Sequence, residues 1–209
     1  EGLKGLDEAR ASYDRANALN PDYADADYKR GVVLQDLKRW DEDLTGNGRV
    51  IALNPDDAGA YYNRGNVLQD LKRFDEALAS YDRAIALNPD YVEAYSNRGV
   101  TLQDLNRPDE ALISCDHAIA LKPDYVKAYS NRGNALKDLK RLDEALANYD
   151  RAIALKPDNA SDSSNRGLAL KDLNRLDKAL ASYNRALPPK HEHAEDTSNR
   201  DNALNERKR

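Results

Sequence analysis

Apolar and polar residues follow each other along this chain in a pattern that fits α-helices and then recurs. In residues 125–158, Ala128, Tyr129, Gly133, Leu136 and Leu139 fall at helical spacing, and Ala145, Leu146, Tyr149, Ala152, Ile153 and Leu155 do so again. Lys140 and Arg141 between the two runs predict a short turn. Asp124 and Asp143 stand where N-caps belong, and Pro157 prevents the second helix from continuing. The segment therefore predicts two antiparallel helices. Gly133 and Ala145 are small enough to let them approach closely, with Tyr129 and Tyr149 filling space beside them.

The same pattern is written several times over. Pro21, Pro55, Pro89, Pro123 and Pro157 lie 34 residues apart, as do Gly31, Gly65, Gly99, Gly133 and Gly167. Residues 91–124 and 125–158 agree at 24 of 34 positions, which chance does not produce. A period of this length marks a stack of supersecondary units, each burying a face against its neighbour.

Several positions recur with the period. Tyr61, Tyr95 and Tyr129 precede the glycine by four. Ala77, Ala111, Ala145 and Ala179 hold a small position in the second helix, Tyr81, Tyr149 and Tyr183 an aromatic one, and Pro closes most units. This set resembles the tetratricopeptide repeat over almost the whole chain. The resemblance implies an all-α, right-handed superhelical solenoid of antiparallel helix pairs, with a concave groove that binds peptides or partner proteins. In that family's phase the chain, 1–209, reads as a single solenoid that opens inside a first helix. Residues 3–22 are the tail of one repeat; 23–56, 57–90, 91–124, 125–158 and 159–192 are repeats; 193–209 form one further first helix, with Leu204 at the repeated Leu position. No dedicated cap is visible at the N-terminus and no Met occurs anywhere, so a processed chain or a segment of a longer array is expected.

Some copies depart from the pattern. In 23–56, Asp43 replaces the small Ala, and Gly46 and Gly48 each weaken the helix by roughly 1 kcal/mol. That helix is expected to be distorted, mobile or shifted to expose Asp43, because an unpaired buried carboxylate is costly. Pro188 and Pro189 should stop the second helix of the fifth repeat near Leu187. Asp201 stands where earlier copies have Gly, which predicts imperfect packing of the last helix.

With the glycine numbered as position 8, positions 2, 6, 9 and 13 of the first helix share one face. Position 6 carries Asn63, Asn97, Asn131, Asn165 and Asn199, with Lys29 breaking the series; position 13 carries Asp36, Asp70, Asp104, Asp138 and Asp172. The resemblance places this face along the groove. A carboxamide donates and accepts, so it can pair with the backbone of an extended peptide of any sequence. The Asn row is similar to the asparagine ladder in the repeat arm of O-linked N-acetylglucosamine transferases. The Asp row would attract basic or Ser/Thr-rich segments. Against this stands plain duplication, which copies solvated residues as faithfully as useful ones. Position 12 runs Gln35, Gln69, Gln103, Lys137, Lys171, which reads as drift on a solvated edge.

Position 7 is Arg30, Arg64, Arg98, Arg132, Arg166 and Arg200, within the apolar sector. An Arg there should bury its stem and pair its head, with Asp82, Asp116 and Asp150 as partners. Chaperone-binding members of the family grip a C-terminal carboxylate with paired Lys and Asn. Lys127 and Asn131 match half of that clamp, but Glu93, Ser161 and Glu195 occupy the other Lys places and supply no cation.

Composition narrows the remaining choices. One residue in three is charged and the net charge is −5, which argues against a nucleic-acid surface. No apolar run is long enough to span a membrane. Cys115 is the sole cysteine, stands in place of a buried Tyr, and points to a small core residue in a reducing cytoplasm. His117 should be exposed, and His191 and His193 form a short pair in a Pro-broken tail rather than a metal site. The recurring glycines lie inside helices, not in a phosphate loop. No cofactor and no catalytic constellation is therefore expected. The reading is a non-catalytic interaction module holding an extended segment of a partner protein. Its alternatives are a scaffold stacking end to end through uncapped repeats, or the substrate-recognition arm of a glycosyltransferase whose catalytic domain lies outside this chain.

Overall fold

A computed structural model of the chain describes residues 2–19, 24–187 and 194–207, without the side chains of 2–4, 17–18, 24–25, 27–28, 32, 35, 194–196 and 207. Pro188, Pro189, His191 and His193 thus lie outside the described residues, as does the side chain of Gln35. The described residues form helices α1 (Gly2–Leu19), α2 (Ala24–Asp36), α3 (Trp40–Leu53), α4 (Ala58–Asp70), α5 (Phe74–Leu87), α6 (Val92–Asp104), α7 (Pro108–Leu121), α8 (Val126–Asp138), α9 (Leu142–Leu155), α10 (Ala160–Asp172), α11 (Leu176–Ala186) and α12 (Ala194–Arg207). They divide into two compact units, Glu1–Leu105 and Asn106–Arg209. Among the described residues, no helix is long and apolar enough to cross a membrane.

Each unit is built of helix hairpins closed by the same turn. A Leu follows the last residue of the first helix, and the next residue takes a left-handed backbone: Lys38, Lys72, Asn106, Lys140 and Asn174 have φ between 55° and 61°. This is the C-terminal arrangement in which amides past the helix end reach back to its last carbonyls. In the first unit, Arg73 N donates to Leu68 O at 2.8 Å and Lys72 N to Gln69 O at 2.9 Å. The second helix then starts two residues earlier than its Asp suggests. Arg141, not Asp143, is the N-cap of α9, and Tyr125, not Asp124, that of α8. The Arg turns its guanidinium onto the Glu three residues on. Arg73 and Glu76 form two parallel bonds of 2.7 Å, and so do Arg141 and Glu144. The pairs tie the turn to the first helical turn but lie in solvent, so their energy is small.

The glycine–tyrosine contact holds each regular hairpin together. A Cβ on Gly65 would stand 2.6 Å from Tyr81 Cε1, and one on Gly133 2.6 Å from Tyr149 Cε1. Tyr81, Tyr149 and Tyr183 are fully buried, with Ala77, Ala145 and Ala179 beside them. Tyr129, expected in the same layer, is only half-buried and caps the rim instead. Cys115 is buried at the Tyr position of its own repeat, and burial pushes its thiol up to about 12. His117 is exposed.

Neighbouring hairpins are bridged by the position-7 arginines. Arg30–Asp14 and Arg98–Asp82 in the first unit, and Arg132–Asp116 and Arg166–Asp150 in the second, each close at 2.6 Å. The corresponding partners of Arg64 and Arg200 are Gly48 and Asn184, which carry no carboxylate, and Arg200 turns to Asp201 at 3.1 Å.

Two expectations change. Helix α3 is continuous through Gly46 and Gly48, and Asp43 stays buried. The reason is local: Asn47 occupies the Tyr position, and its Nδ2 donates to Asp43 Oδ1 at 2.8 Å. Residues 2–19 form one uninterrupted helix, so the described chain does not open inside a first helix. Asp201, at the glycine position, is exposed on α12.

Candidate functional site

The face that carries the Asn and Asp rows belongs to the first helices of the hairpins. In the first unit these are α2, α4 and α6; in the second, α8, α10 and α12. Asn63, Asn97, Asn131, Asn165 and Asn199 are all half-buried. Asp36, Asp70, Asp104, Asp138 and Asp172 are all exposed, and each is the last residue of its helix. A carboxylate there opposes the helix dipole, so local structure does not ask for it. Partial desolvation by its neighbours draws the Asp104 carboxyl above the usual carboxylate range, with Lys72 pulling the other way.

Two of the asparagines are anchored by residues that the sequence pattern did not single out. In the first unit, Asn97 Nδ2 donates to Asn66 Oδ1 at 2.8 Å and to the Tyr62 hydroxyl at 3.2 Å. The Tyr81 hydroxyl reaches the same Asn66 oxygen at 2.8 Å and Gln69 Oε1 at 2.9 Å. Thr101 closes the cluster, donating to the Asn97 carbonyl at 3.0 Å. Burial drives the Tyr81 phenol well above its ordinary range, so it remains a donor at any physiological pH. The second unit repeats the core of this arrangement. Asn165 Nδ2 donates to Asn134 Oδ1 at 3.2 Å, and the Tyr149 hydroxyl donates to that oxygen at 2.8 Å. Asn66 and Asn134 both occupy position 9, where other repeats carry Val100 and Leu168. The signal was present: Asn at position 9 and Tyr fifteen residues later recur together 68 residues apart.

The anchoring has a chemical consequence. Both amide hydrogens of Asn97 are spent inside the fold, while its Oδ1 meets no donor among the described residues. What remains on this carboxamide is an acceptor. The side chains of Asn63 and Asn199 make no hydrogen bond to another described residue. At the C-terminal edge of the face, Lys171 pairs with Glu206 at 3.2 Å, which spends part of the basic character of position 12.

Known proteins give the family. Four family models, all described as tetratricopeptide repeat, match residues 3–58, 58–91 and 126–159, 80–113, and 164–187. The chain belongs to the tetratricopeptide repeat family. Solved structures agree on the fold. YrrB, described as a TPR protein with an unusual peptide-binding site, aligns with a TM-score of 0.69 at 22% identity, covering 94% of this chain and 98% of its own. TTC0263, a thermophilic TPR protein of Thermus thermophilus, gives 0.72 at 26%, covering 87% and 98%. The Cut9–Hcn1 hetero-tetramer of APC/C gives 0.83 at 16%, covering 97% of this chain and 40% of that one. No curated protein sequence matches the chain. This tetratricopeptide repeat protein is thus an all-α helical repeat solenoid and a protein–protein interaction module.

Proposed function

We propose that this tetratricopeptide repeat protein binds an extended peptide segment along the first-helix face. The half-buried asparagines would accept from the peptide backbone, and the exposed aspartates would draw basic or hydroxyl-rich side chains. The observation that carries the reading is the anchoring of Asn97 and Asn165. Each is held by the asparagine of the preceding repeat, which orients the amide and leaves its oxygen for a second donor. An acceptor fixed in advance costs less entropy on binding than a free side chain. The peptide-binding site ascribed to YrrB lends support from a protein of the same fold. The carboxylate clamp stays incomplete, since Glu93 and Ser161 supply no cation.

The test is a pull-down with mass spectrometry followed by titration of the captured segment, using Asn97→Ala plus Asn131→Ala as the control chain. The double variant should bind at least about tenfold more weakly, the loss of roughly 1.4 kcal/mol expected for one or two peptide hydrogen bonds, while its far-UV spectrum and melting remain close to the parent's. Equal affinity in a folded double variant removes the ladder and leaves a scaffold that assembles with itself.

A further inference from the structure

The second unit carries a site that this reading does not use. Position 4 of the first helix is Tyr61, Tyr95 and Tyr129 in three repeats, but Ser163 in the fifth. The sister positions show what a ring does there. The Tyr129 hydroxyl donates to Pro123 O at 3.1 Å, and the Arg151 guanidinium lies over its ring, 5.9 Å from the centroid. Arg83 lies over Tyr61 in the same way at 5.8 Å. Pro157 and Arg185 take the places of Pro123 and Arg151 in the fifth repeat. The cation and the carbonyl acceptor are kept; the ring is gone.

A cleft of about 230 Å³ lies there, lined by Asp150, Ile153, Ser163, Arg166, Ser182 and Arg185. The cleft is half open and mostly polar in its lining; its volume exceeds the roughly 150 Å³ of an enclosed apolar cavity that takes benzene, so one ring fits by size. Ser163 is 1% exposed, and its hydroxyl has no hydrogen-bond partner among the described residues. Arg166 is committed to Asp150 and to Ser182, both at 2.6 Å. Arg185 is exposed and reaches Pro157 O at 3.4 Å, the carbonyl whose counterpart Tyr129 uses one repeat earlier. We propose that this cleft binds a phenolic ring. The ring lies under the Arg185 guanidinium, and its hydroxyl bonds the Pro157 carbonyl or the Ser163 hydroxyl. The ring comes either from a small free phenol or from a tyrosine of a partner chain.

The test is titration of the full chain with p-cresol, followed by amide chemical shifts. Saturable shifts are expected around Ser163, Ser182 and Arg185, which line the cleft. Ser163→Tyr restores an internal ring and should abolish them. Arg185→Ala, an exposed change that leaves the fold intact, should weaken binding roughly two- to fivefold, as expected for one exposed cation–π contact. A second arm uses N-acetyl-tyrosine amide. Binding of both ligands assigns the site to a tyrosine side chain, and binding of p-cresol alone assigns it to a small phenol. The proposal is overturned by an absence of saturable p-cresol shifts, by unchanged affinity in Arg185→Ala, or by a site that takes inorganic phosphate in preference to the phenol.

Discussion

Replacing Gly133 with Ala sets helix propensity against packing, and the two predict opposite signs. Gly133 lies in the middle of α8, where Ala is favoured over Gly by about 1 kcal/mol. Its new Cβ, however, would stand 2.6, 2.8 and 3.0 Å from Cε1, Cδ1 and Cζ of Tyr149. Carbon atoms in contact sit about 3.5–4.0 Å apart, so ring or helix must give by nearly 1 Å. The ring has little freedom to do so: it is fully buried, and its hydroxyl is bonded to Asn134 at 2.8 Å. Overpacking of this kind costs about 1–3 kcal/mol, and contact with three ring atoms places it toward the upper end. The net result should be a loss of about 1–2 kcal/mol, or roughly 2–8 °C in melting temperature for a chain of this length. Gly48 is the internal control. It lies on the exposed side of α3 with nothing within 4 Å of a Cβ, so Ala there should stabilise by about 1 kcal/mol. Urea unfolding followed by far-UV circular dichroism compares the parent with both variants. A gain in stability for both substitutions would refute the packing argument, because propensity alone would then explain the two results.

Two further outcomes follow from the charged groups. Arg98→Leu should change stability by no more than about 1 kcal/mol, since Asp82 is half-exposed and a pair of that kind is worth little; a loss above about 2 kcal/mol in thermal unfolding would make the bridge a requirement for stacking. Asp162→Asn should stabilise at pH 7, with the gain shrinking toward pH 4. Burial holds the Asp162 carboxyl above its ordinary range against the opposing pull of Ser130 and Lys156, with Asn159 donating to it at 2.6 Å. The folded chain therefore keeps a proton that the unfolded chain has lost, and stability falls as pH rises from about 4 through the raised value. An equal gain at both pH values would contradict this.

What the sequence made legible follows the period. The glycine–tyrosine contact, the helix pairs and the Arg–Asp bridges all come from residues that recur, so one copy interprets the others. Even the two missing bridges were written in Gly48 and Asn184. The Arg–Glu pairs at the helix starts recur as well, but no apolar pattern points to them. Asp124 and Asp143 were drawn to the cap by their residue type, whereas the left-handed residue ahead of α9 sets where that helix starts and hands its N-cap to Arg141. On the binding face, the rows were visible as rows. Their anchoring was not, because Asn97 and Asn66 are 31 residues apart and meet only once two repeats are stacked.

The buried polar residues explain how such a frame tolerates change. Over Gly65, Gly133 and Gly167 the space left by the missing Cβ is filled by a tyrosine ring from the second helix; over Gly31 it is filled by Asp43 Oδ1, 2.8 Å from where a Cβ would stand. The filling role has passed one helical turn back along α3. Neither change works alone. Asn47 in place of Tyr opens a gap, and Asp43 in place of Ala enters it, accepts the Asn47 amide hydrogen, and sits in the first turn of the helix where the dipole favours a negative charge. Asp162 is the counterpart in the second unit, with Asn159 donating to it at 2.6 Å. It takes a position held by Ala60, Ala94 and Ala128 elsewhere, Asn159 stands where Tyr91 and Tyr125 stand in the preceding repeats, and the raised carboxyl records a cost of burial that these partners only partly offset. The hairpin thus requires the glycine to be covered but not by any one residue. That latitude lets interior polarity and cleft size differ from repeat to repeat while the helices keep their places.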